Sequence, residues 1–132
     1  MPQCAGILLV RDDGAVLLVR RSQQVSEPGW WSIPAGREDA GDTDLIATAL
    51  REFQEETGSL PPMQLVSFHP SRTLRRDGTP RGVFTTVIAT IPTGAAARWQ
   101  PRLNWENDAW GWFYPGQLPQ PLHPGVELFV RN

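Results

Sequence analysis

The stretch Arg51-Glu52-Phe53-Gln54-Glu55-Glu56-Thr57-Gly58 decides how the rest of this chain is read. Just upstream, Ile46, Ala49, Leu50 and Phe53 recur at i, i+3, i+4 and i+7, the spacing of one apolar helix face. A helix is therefore predicted from about Asp44 to Thr57. Asp42, Thr43 or Asp44 could each cap its start. Gly58 stands where a helix C-terminal glycine belongs, and Pro61-Pro62 prevents continuation. On such a helix Glu52, Glu55 and Glu56 fall at i, i+3 and i+4 and share a face, different from the apolar one. Like charges at that spacing cost stability, which a fold tolerates where a cation neutralises them. Hard oxygen ligands of this kind suit Mg²⁺ or Mn²⁺. Arg51 can pair with one of the acids and fix its rotamer. Gly36, in the loop before the helix, could bring its carbonyl to the same ion. Three Glu residues taken alone favour a plain solvated helix face. Pro34-Ala35-Gly36, the acidic loop to Asp42 and the terminal Gly58 shift the balance towards a site.

Working outward, Cys4 to Val10 and Ala15 to Val19 are almost wholly apolar and are separated by Arg11-Asp12-Asp13-Gly14. Asp-Gly between two such runs signals a hairpin, and runs apolar on both faces suggest strands covered on both sides. Arg20 to Gly29 reads as loop and Trp30 to Ile33 as a short apolar patch. Met63 to Phe68 is a candidate strand. Ser71 to Arg81 is polar around a second turn signal, Asp77-Gly78. Val83 to Ile91 is rich in β-branched residues and reads as strand. Pro92 to Asn104 reads as loop, Ala109 to Tyr114 as an aromatic strand, and His123 to Arg131 as a short closing helix after Pro124. No repeat or linker divides residues 1–132, so a single domain is expected.

Composition narrows the function. The formal net charge is −2 over 132 residues, which argues against a life on nucleic-acid backbones. It leaves room for small phosphate ligands, which need only a few arginines. All twelve basic residues are Arg, an enrichment best read as genomic bias. One cysteine, Cys4, excludes a disulfide framework within the chain and reads as a structural thiol in an apolar run. No apolar run approaches membrane-spanning length and no signal-type segment opens the chain. A cytoplasmic protein without membrane contact is expected. His69 and His123, two lone histidines, give no zinc site.

The segment Gly36 to Leu60 resembles the signature of the Nudix hydrolases, G-x5-E-x7-R-E-U-x-E-E-x-G-U, where U is a bulky aliphatic residue. The match is close over Arg51 to Gly58, with Phe53 at the first U, and Pro34-Ala35-Gly36 resembles the family's usual lead-in. The order of segments along the chain is also similar. Three positions depart from the pattern. Asp42 stands where the family has Glu, the spacer from Asp42 to Arg51 is one residue longer, and Ser59 precedes Leu60. The extra residue falls before the acidic face, so Glu52, Glu55 and Glu56 keep their mutual phase.

The resemblance implies an α/β fold, a Nudix-like α/β/α sandwich with a central mixed sheet and the signature loop-helix-loop. It also implies divalent-metal-dependent hydrolysis of a nucleoside diphosphate linked to another group, with Mg²⁺, or alternatively Mn²⁺, as cofactor. By that carry-over Glu52, Glu55 and Arg51 are catalytic, and Gly36, Glu52, Glu55, Glu56 and Glu106 are metal-holding. Asp42 takes the supporting acid position. Glu106 enters because the family often supplies a further acid just before the late Trp strand. Arg20, Arg37 and Trp30 are the substrate-binding candidates. The arginines around Asp77-Gly78 (Arg72, Arg75, Arg76 and Arg81) offer phosphate contacts as a group. Nucleoside triphosphates, including oxidised ones, lead as substrates, with ADP-ribose-type nucleotide sugars second. A homodimer is compatible with the family's habit. Two rivals remain: a Nudix-fold binding module that has lost catalysis, and an RNA-facing protein using the Arg72 to Arg81 segment.

Overall fold

The computed structural model describes residues 3–130, the side chain of Leu128 excepted. Its strands are β1 (Gln3–Arg11), β2 (Val16–Arg21), β3 (Trp31–Ser32), β4 (Ala35–Arg37), β5 (Gln64–Leu74), β6 (Pro80–Ile91) and β7 (Asn107–Phe113). Three helices interrupt them: α1 (Leu45–Thr57), α2 (Thr93–Arg98) and α3 (Pro124–Val130). The Asp13-Gly14 turn joins β1 to β2 as the sequence predicts, with Gly14 at a φ of 96° that favours glycine.

The sheet is mixed. Its strands run β3-β2-β1-β6-β5, with β7 on β2 and β4 on β1. β1 and β6 are parallel in nine consecutive pairs, from Gln3 with Val83 to Arg11 with Ile91, and the other pairings are antiparallel. β1 meets β4 at Cys4 to Gly6 and β2 only at Val10. That division matters, because it sets β4 beside the acidic end of α1.

Each face of the sheet carries helix. On one, Ala49 and Phe53 of α1 pack on Ala5, Ile7 and Leu9 of β1 and on Val87, Ala89 and Ile91 of β6. On the other, Val126 and Val130 of α3 pack with Leu8, Val16, Leu18 and Ile33. Both faces of β1 are thus buried, which is why its sequence is continuously apolar rather than alternating. Phe53 has no exposed surface; burying such a ring contributes about 1.5–3 kcal/mol.

The structure corrects three local readings. Pro92 to Asn104 is not all loop: Thr93–Arg98 forms a helix of under two turns, too short to show a period. Ala35–Arg37, read as loop, is a three-residue strand on β1. β5 continues through the polar residues to Leu74 because it pairs with β6 along the whole hairpin around Asp77-Gly78. Its outer edge has no neighbour among the described residues, so polar side chains suit it. The closing helix starts at Pro124; Arg131 lies outside the described residues. No helix of the described chain is long and apolar enough to cross a membrane.

Candidate active site

Helix α1 begins at Asp44, whose Oδ1 accepts the Ala47 amide at 2.8 Å, and ends at Gly58 in the left-handed conformation, φ 89°. The three acids of interest therefore occupy its last two turns. That is the negative end of the helix dipole, with no basic residue in the last turn to offset it. Mutual repulsion and the dipole both oppose them, so their retention has to be explained by what lies around them.

Arg51 supplies part of the explanation. Its Nε and Nη2 both donate to Asp42, each at 3.0 Å, and Nη2 also donates to the Arg37 carbonyl at 2.9 Å. Nη1 donates to Glu52 at 3.0 Å and to Glu55 at 3.1 Å. One guanidinium thus fastens the loop before the helix to two acids on it. Asp42 also accepts from the Thr48 hydroxyl and the Asp39 amide, both at 2.8 Å. The Arg51 fork, first of all, holds its carboxyl well below the usual range. The shorter Asp42 side chain therefore reaches Arg51 despite the additional residue in the spacer. A tight turn, Asp42 amide to Asp39 carbonyl at 2.9 Å, lies within the loop ahead of the helix.

Glu56 is held differently. Only 3% of it is exposed. Its Oε2 accepts the Ala35 amide of β4 at 3.0 Å, and its Oε1 accepts Asn107 Nδ2 of β7 at 2.8 Å. Burial, reinforced by the charges of Glu106 and Glu52, outweighs these two bonds and pushes its pKa up to about 9. Glu52 is raised as well, by burial first and by Glu55 next. Glu106 precedes β7, where its own amide donates to Asn104 Oδ1 at 2.9 Å and its carbonyl accepts the Ser22 amide.

One carboxylate oxygen each from Glu52, Glu56 and Glu106 lies within 4.8 Å of the others. Gly36 completes this corner: a Cβ there would stand 2.2 Å from the Glu52 carboxyl carbon. Only glycine lets β4 pass so near the acid. The donor set is all hard oxygen, and two of its acids, Glu52 and Glu56, are buried and raised first of all by that burial. It fits a divalent cation. Glu55 lies outside this close group, its side chain 49% exposed and tied to Arg51.

A cavity of roughly 740 Å³ opens beside the cluster and shares Ala35, Gly36 and Arg37 with it. Of the substrate-binding candidates, Arg37 lines this cavity. Arg20 does not; it pairs with Asp108 at 2.7 Å and lies over Trp31. Trp30 does not either; its ring stands edge-on to His123, 6.2 Å between centroids. Cys4 is half-buried in the cavity wall, its thiol raised chiefly by burial, as suits a structural thiol.

A family model, the NUDIX domain, matches residues 2–132. The chain belongs to the NUDIX family. A solved Nudix hydrolase of M. smegmatis, RenU, is 27% identical with a TM-score of 0.76, covering 98% of this chain and 81% of that one. A MutT NUDIX hydrolase from Burkholderia pseudomallei is 26% identical with a TM-score of 0.74, covering 98% and 95%. An RNA pyrophosphohydrolase of Erythrobacter litoralis is 41% identical over 56 residues, 42% of this chain but 33% of the relative. A peroxisomal coenzyme A diphosphatase of Mus musculus is 47% identical over 51 residues, 39% of this chain and 22% of the relative. The chain thus aligns with a third or less of these two curated relatives. Against the Nudix pattern, the sequence named Glu52, Glu56, Glu106 and Gly36, and the fold brings them together. It missed Asn107 and the Ala35 amide, which hold Glu56. The sequence reading began that strand at Ala109, which left Asn107 outside it, whereas β7 starts at Asn107.

Proposed function

We propose that this NUDIX protein hydrolyses the phosphoric anhydride of a nucleoside diphosphate linked to another group. Nucleoside triphosphates come first and ADP-ribose-type nucleotide sugars second. The observation that carries this reading is the convergence of Glu52, Glu56 and Glu106 on one point against Gly36, at the edge of a cavity large enough for a nucleotide. Glu52, Glu56 and Glu106, with the Gly36 carbonyl, would hold Mg²⁺ or Mn²⁺. When bound, such ions screen the phosphate charge and acidify water.

The protein's own groups do the rest. Arg51 keeps Glu52 and Glu55 in fixed rotamers, so that neither must be ordered when substrate arrives. Asn107 and the Ala35 amide aim Glu56 and leave it no other position. Glu55, half-exposed, outside the close group and held by Arg51 through one oxygen, is the carboxylate that would take a proton from the attacking water. Arg37 faces the substrate's phosphates from the cavity wall. The chemistry needs no membrane and no nucleic-acid polymer, and a cytoplasmic setting suits it.

Release of phosphate or pyrophosphate from a nucleotide panel, with Mg²⁺ and then EDTA, tests the reading. The panel holds canonical and oxidised dNTPs, ADP-ribose, dinucleoside polyphosphates and nucleotide sugars. Metal-dependent turnover of one class is the expected result. Folded protein that binds a nucleotide and turns over none of them would establish a binding module instead.

A further inference from the structure

The cavity beside the acid cluster has a charge imbalance that the cluster does not explain. Four arginines line it, Arg21, Arg37, Arg72 and Arg81, against a single acid, Glu27. Arg21 is spent on the Ser26 carbonyl and hydroxyl, and Glu27 faces His123 at 3.6 Å. The guanidiniums of Arg37, Arg72 and Arg81 donate to no group among the described residues, and of these Arg37 and Arg81 are the two whose charges reach Cys4.

Register fixes where one of them points. Arg37 of β4 pairs with Cys4 of β1, Cys4 with Phe84 of β6, and Phe84 with Ser71 of β5. Residues directly opposite across strands present their side chains to the same face. Arg37, Cys4 and Phe84 therefore share the cavity face. Arg81, near the start of β6, lines the same cavity. Burial raises the Cys4 thiol, the charges of Arg37 and Arg81 pull it back, and Glu52 adds to the rise. The charge of Arg81 is also felt at His123. Cys4 thus stands directly across from Arg37 in a cavity lining that also holds Arg81. The apolar wall formed by Leu8, Ile33 and Phe129 leaves a dry surface for the nucleoside.

We propose that Arg37 and Arg81 clamp a phosphate lying beyond the scissile linkage, so that the cavity prefers a 5′-triphosphate to a diphosphate joined to a neutral sugar. This rests on the hydrolase reading above and narrows it. A terminal phosphate carries roughly −1.5 to −2 charges at neutral pH and offers three acceptor oxygens. An internal phosphate of a sugar-linked diphosphate carries less and has fewer free oxygens. Two unpaired forks, Arg37 and Arg81, in the lining of one cavity match the former.

The single cysteine provides a footprint that does not depend on turnover. Alkylation of Cys4 is followed in EDTA with and without inorganic tripolyphosphate, and each variant is compared with itself. Tripolyphosphate should slow labelling of the wild type, and Arg81→Gln should weaken that protection about tenfold, as for loss of a charge-assisted contact. With Mg²⁺, Arg81→Gln should lower kcat/KM for dATP about tenfold more than for ADP-ribose. Arg37→Gln, also an exposed position, repeats the test should Arg81→Gln fold poorly. A short 5′-triphosphorylated oligoribonucleotide, run beside dATP, distinguishes the source of the triphosphate; preference for either over ADP-ribose supports the clamp. Equal losses on dATP and ADP-ribose, or protection unchanged in Arg81→Gln, would overturn it. Protection that depends on Arg81 with no hydrolysis of any substrate would keep the clamp and sink the hydrolase reading.

Discussion

Helix α1 sets acids against Gly36 at the edge of the cavity, the β5–β6 hairpin arm sends arginines into its lining, and the two treat their charges in opposite ways. Every acid on α1 is fastened: Glu52 and Glu55 by Arg51, Glu56 by Asn107 and the Ala35 amide. On the arm, Arg81 is fastened to nothing among the described residues. The difference follows from what each would meet. A small cation tolerates little misplacement of its ligands, so the acids are set before it arrives. A phosphate tail varies in length and position, and a long, unpaired Arg can follow it. The buried acids carry a folding cost in exchange for order. The arm carries none, because an exposed guanidinium stays solvated.

The largest expected effect comes from undoing the fastened side. Glu56→Gln removes one ligand charge but keeps the shape. Turnover should fall by about 10²–10³, the scale seen when one electrostatic group leaves an active site. The same variant reads the cost of order. Glu56 has a folded pKa near 9, above its ordinary 4.5. Below about 4.5 it is protonated in both states and contributes nothing to pH dependence. As pH rises from there towards 9, the unfolded chain releases the proton and the folded one keeps it, so stability falls. In EDTA, the wild type should melt at progressively lower temperature between pH 5 and pH 8, and Glu56→Gln should lose much of that slope. Mg²⁺ should restore the wild type most at pH 8, where the proton competes least within this range. A wild-type melting curve flat across this range would show that the acid is not strained.

A smaller loss is expected at Arg51. Lysine preserves the charge but cannot span Asp42, Glu52, Glu55 and the Arg37 carbonyl together. Arg51→Lys should cost about 10–100-fold in metal affinity or turnover, the range for groups that orient ligands. A Mg²⁺ titration of activity separates the cases. A raised Mg²⁺ requirement places the loss in ligand order; an unchanged requirement with lower kcat places it on Glu55.

The fastened side was also the legible one. The period of Ile46, Ala49, Leu50 and Phe53 sets the helix, and the helix alone fixes the phase of Glu52, Glu55 and Glu56. The apolar run Cys4 to Val10 declares a covered strand and the β-branched run Val83 to Ile91 a second strand, and the two prove to be parallel partners. What lay beyond reach depends on contacts distant in sequence. Ala35–Arg37 becomes a strand only because β1 offers it an edge. Asn107 meets Glu56 across 51 residues. Arg20 and Trp30 looked suitable beside the presumed cleft, but Arg20 is drawn to Asp108 and Trp30 to His123. Arg81 could be noticed only as one of several arginines at a turn, because its place in the cavity is set by the twist and length of the hairpin.

The smallest effect should come from Arg76, and it sharpens the comparison most. Arg76 lies near the tip of the same arm, exposed and, like Arg81, without a side-chain partner among the described residues, but it does not line the cavity. If lack of a partner were enough, Arg76→Gln would resemble Arg81→Gln. Should placement decide, Arg76→Gln should stay within about twofold of wild type on dATP, and within about 0.5 kcal/mol in stability as for most surface changes. The two variants are best measured at low and at physiological salt. A loss in Arg76→Gln that matches Arg81→Gln and vanishes with salt would reduce the arm to long-range attraction of anions, since exposed charges are screened over roughly 8 Å at physiological salt. A loss confined to Arg81→Gln and persisting in salt would mean that its guanidinium touches the phosphate.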